Sequence, residues 1–134
     1  MVITHEARNI SISIDRDWRE VYEFAHRPEN FGRWASGLAE FLHQEGGEWV
    51  AETAEGSVQV RFTPRNEFGV MDHYVTSEPA IEVYVPLRVI ANGTGCEVIF
   101  TLFRTPGMTD EIMARDAEWV TKDLRALKAL VESG

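Results

Sequence analysis

From Ser36 onward hydrophobic and polar positions fall in short runs of about 8 to 12 residues punctuated by turn signals, and only the last stretch of the chain is long and periodic enough for a full-sized amphipathic helix. From Thr109 to Glu132 no Pro or Gly intervenes. Met113, Ala117, Val120, Leu124, Leu127 and Val131 recur at spacings of four and three, which makes one apolar stripe. Thr109 suits an N-cap, and Asp110 and Glu111 place negative charge at the positive end of the helix dipole. The pattern predicts a helix about 35 Å long, enough to cross a small domain. Glu111 with Arg115 and Glu118 with Lys122 stand at i,i+4 on the polar side, where ion pairs are expected. The stripe is bulky in its second half and small in its first, where Ala114 and Ala117 lie. One half should fill a core, and the other leaves room for large strand side chains or for a cavity.

Upstream, Ile10, Ile12 and Ile14 alternate with polar residues, so a half-buried strand is expected within Val2 to Ile14. Asp15 is then placed to cap a short helix from Arg16 to about Ala25, with a second helical turn from Pro28 to Trp34. Six further strands follow: Gly37–His43, Glu48–Ala54, Ser57–Thr63, Val70–Thr76, Ile81–Ile90 and Cys96–Arg104. Gly46-Gly47, Glu55-Gly56, Pro64 to Gly69, Pro79 and Asn92-Gly93 punctuate them. Asn92-Gly93 is the clearest hairpin signal. Period-two alternation puts Trp49, Ala51, Val58, Val60, Phe62, Met71, His73, Val75, Ile81, Val83, Val85, Leu87, Val98, Phe100 and Leu102 on one face, taken as inward. Pro86 marks a bulge or an edge, so Arg88 beyond it can point either way.

This order of elements, one strand, two short helices, six antiparallel strands and a long C-terminal helix, resembles the helix-grip fold of the START-like, SRPBCC superfamily. That superfamily includes polyketide cyclases and birch-pollen-allergen-like proteins. NEFGVMDHYV (Asn66–Val75), PLRVIANGTGCEVIFTLFRTPGM (Pro86–Met108) and WVTKDLRALKALVE (Trp119–Glu132) look like a bacterial polyketide cyclase/dehydratase-like branch. The resemblance implies an α+β fold in which a seven-stranded antiparallel sheet wraps the long helix. It also implies a cavity between the two for an apolar or amphipathic, lipid-like molecule. Fold does not dictate chemistry, and no catalytic motif of the superfamily transfers residue by residue.

A length of 134 residues suits a single domain. The net charge of −9 and the absence of a clustered basic stripe oppose a nucleic-acid partner. A single Cys, no leader-like start and no segment fit to span a bilayer lead to the expectation of a cytoplasmic protein. His5, His26, His43 and His73 are scattered, with no metal-binding spacing, so neither metal nor cofactor is expected. Nucleophile-elbow and phosphate-loop motifs are missing as well.

His73, between Met71 and Val75 on the inward face, is the candidate catalytic residue. Its imidazole could bond a ligand carbonyl or move a proton, or could be a core His satisfied by backbone. Asp72 points the opposite way along a strand and cannot orient it. The candidate ligand-binding set is Trp34, Trp49, Phe62, Met71, His73, Val85, Arg88, Phe100, Met113, Ala117 and Val120. Trp34 and Trp49 serve equally as pocket wall or as core. Arg88 would hold a ligand carboxylate or enolate if inward, and an ion pair if outward. Asp116 borders the cavity mouth or stays solvated. The reading is a binding or carrier domain, with a cyclase/dehydratase-like enzyme as the alternative and a protein-interaction domain third. A homodimer is the protein partner it leaves open.

Overall fold

The computed structural model describes residues 1–35, 42–53, 56–77 and 81–133. Strand β1 (Ala7–Ile14) leads into helices α1 (Trp18–Ala25) and α2 (Pro28–Trp34). Strands β2 (His43–Glu45), β3 (Glu48–Thr53), β4 (Gly56–Phe62), β5 (His73–Ser77), β6 (Ile81–Val85), β7 (Leu87–Asn92) and β8 (Gly95–Phe103) follow. Helix α3 (Asp110–Glu132) ends the chain. No helix among the described residues is long and apolar enough to cross a membrane.

The caps show which local signals were read well. Thr109 accepts a hydrogen bond from the Ile112 N–H at 3.1 Å and starts α3 where expected. Helix α1 instead starts two residues late, because Asp17 caps it by accepting from the Arg19 N–H. The Asp15 N–H is engaged elsewhere, on the Glu132 carboxylate at 2.8 Å, and so ties the start of α1 to the end of α3. The two expected i,i+4 pairs on α3 do not form: Arg115 turns to Asp116 at 3.6 Å, and Lys122 lies 6.0 Å from the Trp119 ring. Exposed helix pairs of that kind contribute only tenths of a kcal/mol, so other local contacts easily replace them.

The strands form two antiparallel sheets, of three strands (β1-β8-β7) and five (β2-β3-β4-β5-β6), and not one seven-stranded sheet. The expected strand Ile81–Ile90 is cut at Pro86, which has no N–H to give to a ladder. Its carbonyl accepts from the Thr101 N–H, so the chain turns there from the partner β5 to the partner β8. The sheets stay joined at this corner by an isolated bridge between Val70 and Arg88 and by the stack of Tyr84 on Phe103. The expected strand Val70–Thr76 therefore begins only at His73. The first strand starts at Ala7 and not near Val2, leaving Met1, Val2 and Ile3 exposed. Of the expected strand Gly37–His43, residues 37–41 lie outside the described ones, and His43–Glu45 forms β2. The Asn92-Gly93 hairpin is present, closed by Asn92 opposite Gly95 with Gly93 at φ +61°.

The continuous core lies between α3, α1, α2 and the three-stranded sheet, where Val120, Leu124 and Leu127 meet Ile14, Val21, Trp34, Val89 and Val98. Helix α3 runs mainly along β1. Among the described residues, Ala51, Val60, Val85, Met113 and Ala117 are buried without belonging to that cluster. Ala51, Val60 and Val85 belong to the five-stranded sheet, and Met113 and Ala117 to the first half of α3.

Candidate functional site

His73 opens β5, with Phe62 opposite it on β4 and Val85 opposite it on β6. It is 3% exposed. Its Nδ1 stands 3.1 Å from the Met71 carbonyl, and a carbonyl oxygen only accepts, so Nδ1 carries the proton and Nε2 keeps a lone pair. Burial drives the imidazole pKa below its usual value, against the opposing pull of the Met71 carbonyl and the Asp72 charge. The ring is thus neutral near physiological pH.

Aromatic rings enclose it. Phe31 of α2 meets His73 edge-on at 5.3 Å, Phe62 at 5.3 Å and Trp34 at 5.1 Å, while Phe62 lies 5.9 Å from His73 and 6.4 Å from Trp49. Trp34 is 3% exposed, and its buried Nε1–H has no hydrogen-bond partner among the described residues. Beside this group, Ala25, His26, Phe31, Phe62, Thr63, Met71 and Leu87 line a cleft of about 10 Å³. That is room for about one water molecule. The cleft lies between the short helices and the strands, and no α3 residue lines it. A larger occupant at this place requires the Phe31 ring or its neighbours to move.

The structure brings Trp34, Trp49, Phe62, Met71, His73 and Val85 of the candidate set into this aromatic region, some through one another. Met113 and Ala117 are buried on the first half of α3. Val120 belongs to the continuous core, and Phe100 is half-buried against it, opposite Ile10 and Leu87. Arg88 is outward, with its side chain 53% exposed, since Leu87 and Val89 on either side fill the core. Of the two orientations left open for it, the outward ion pair is the one found.

Arg88's partner is Asp72, which faces away from His73 as strand alternation requires. The Asp72 carboxylate accepts from the Tyr84 hydroxyl (2.9 Å), the Leu87 N–H (2.9 Å) and the Arg88 guanidinium (2.9 and 3.3 Å). Burial alone would raise its pKa, but the bonds from Arg88, Leu87 and Tyr84 outweigh that and hold it below the usual carboxylate value. These bonds pin the Pro86 corner, and through it the start of β5. Asp72→Asn is expected to cost about 2 kcal/mol, because the amide satisfies fewer of these donors. The folded-state pKa is depressed, so the stabilisation is present above about pH 4 and is lost as pH falls further. Denaturant melts of both proteins from pH 7 to pH 3 check this: the wild-type advantage should shrink towards acid.

Sequence reasoning missed Phe31, the ring that touches His73, Phe62 and Trp34 alike. Its signal was present in the i,i+3 pair Phe31 and Trp34 on α2, a spacing that puts both rings on one helical face.

No protein-family model and no curated protein matches the sequence. Solved structures do. Ara h 8.0201 superposes with a TM-score of 0.71 at 12% identity, covering 96% of this chain and 99% of that one. The Aha1 dimer from Colwellia psychrerythraea gives 0.72 at 14%, covering 95% and 96%. DynU16, from the dynemicin biosynthetic locus, gives 0.71 at 13%, covering 96% of this chain but 48% of DynU16, so this chain spans about half of that protein. At these identities the likeness speaks for the fold. With its short helices after β1, its antiparallel sheets and its long final helix, the chain has the helix-grip fold of START-like, SRPBCC proteins.

Proposed function

We propose that the protein binds an uncharged apolar or amphipathic small molecule on the inner face of the five-stranded sheet, between that face and the first half of α3. Phe31 of α2 is the ring that yields to admit it. The observation that carries the reading is His73: a neutral imidazole, 3% exposed, whose Nδ1 is bonded to the Met71 carbonyl and whose ring lies among Phe31 and Phe62, with Nε2 as its acceptor. Binding sites for small molecules combine apolar walls with a few polar groups of this kind. Among the described residues Asp72 and His73 are the only buried charged or polar ones, and Asp72 is spent on the opposite side. An anionic ligand would find no buried cation there, so the site suits neutral molecules.

The same lone pair supports a second reading, a cyclase/dehydratase-like enzyme in which Nε2 removes a proton beside a ligand carbonyl. In either role the protein would act in the cytoplasm. Aha1 from Colwellia psychrerythraea is a dimer, which makes a homodimer the assembly to look for.

Titration with the neutral fluorophore phenylnaphthylamine tests binding. One saturable site is expected, displaced by neutral amphipathic carbonyl compounds and not by nucleotides; linear, non-saturating fluorescence would refute it. With a carbonyl compound that binds, His73→Ala separates the two readings. A binder loses about 1–3 kcal/mol of affinity and has no turnover to lose. An enzyme loses about 10²–10⁴ of its rate with affinity held within about tenfold.

A further inference from the structure

The Trp34 indole N–H is a buried donor with no hydrogen-bond partner among the described residues. Nearly all buried N–H groups in folded proteins are paired, since an unmade bond costs free energy comparable to the bond itself. Trp34 is held edge-on to Phe31, and Phe31 is held edge-on to His73, so one ring separates the indole donor from the imidazole acceptor. Resting on the binding site proposed above, we infer that Trp34 Nε1–H is the anchor for a ligand carbonyl, and that the ligand class is an apolar ketone, ester or quinone without negative charge. When the Phe31 ring swings aside, a carbonyl oxygen accepts from Trp34 Nε1–H, and a hydroxyl elsewhere on the same molecule can donate to His73 Nε2. A carboxylate is disfavoured, because a lone indole N–H does not offset the desolvation of a full negative charge. Trp34 therefore acts as a specificity residue, choosing carbonyl compounds over hydrocarbons of equal size.

The test compares naphthalene, methyl naphthyl ketone and naphthoate while following indole N–H resonances by NMR. The Trp34 signal is the one lost in Trp34→Phe. The ketone should move the Trp34 indole proton downfield and bind about tenfold more tightly than naphthalene, with naphthoate weaker than the ketone by at least about tenfold. Trp34→Phe should remove the ketone's advantage over naphthalene. If naphthalene and ketone bind equally and the indole proton stays in place, the pocket stands and the anchor is overturned. An indole proton already bonded to a trapped water that the ketone does not displace overturns it too. If neither compound binds, the binding site itself fails.

Discussion

Leu127→Ala lowers stability by about 2–5 kcal/mol, whereas Ala117→Leu changes it far less. Leu127 is 0% exposed and sits in the continuous core with Ile14, Leu124 and Val98, so its truncation leaves a cavity that close-packed neighbours cannot fill. Ala117, at 8%, is buried on the same stripe of α3 but outside that cluster, facing the region where a ligand is proposed. On the proposed function, added methylenes there grow into the space a ligand takes. Thermal melts of the two variants decide it. Equal destabilisation would mean that the first half of α3 is packed as tightly as the second, and that no room exists beside it.

Gly69→Ala is expected to cost about 3 kcal/mol or more, although the glycine has no side chain in the core or the cleft. Gly69 takes φ +71°, a conformation that residues with a Cβ rarely adopt, and a Cβ there would overlap the Val89 carbonyl oxygen. The close approach is needed because the Gly69 carbonyl accepts from the Val89 N–H and the Met71 N–H donates to the Leu87 carbonyl, which sets the chain that delivers His73 against β7. Asn66 holds the turn before it: its carboxamide oxygen accepts from the Phe68 and Val70 N–H groups, and its own N–H donates to the Tyr22 hydroxyl. Chemical denaturation of the variant measures the loss. A loss below about 1 kcal/mol would show that the loop can relax away from β7.

Both predictions also show what one sequence can and cannot convey. The α3 stripe was legible because helical periodicity is a local property, and Met113, Ala117, Val120, Leu124 and Leu127 are buried as read. Asp72 facing away from His73 was legible for the same reason. The split of Ile81–Ile90 was not, because the partner of the Pro86 carbonyl, Thr101, lies across the fold and nothing near Pro86 names it. Arg88 was ambiguous until Leu87 and Val89 were seen to fill the core. The placement of the cleft was hardest to foresee. It depends on how Phe31, Phe62, Met71 and Leu87, from different parts of the chain, happen to fill volume, and no alternation pattern encodes that.

The four methionines provide the most direct measurement of the proposed site. Met71 lines the cleft and Met113 is buried on the first half of α3, the two faces between which a ligand is proposed, whereas Met1 is fully exposed at the N-terminus. In methyl-labelled protein titrated with phenylnaphthylamine, the Met71 and Met113 resonances should shift together and saturate at one equivalent, with Met1 unmoved. Saturable binding that leaves both in place, or shifts Met1 alone, would contradict a ligand site between the five-stranded sheet and α3.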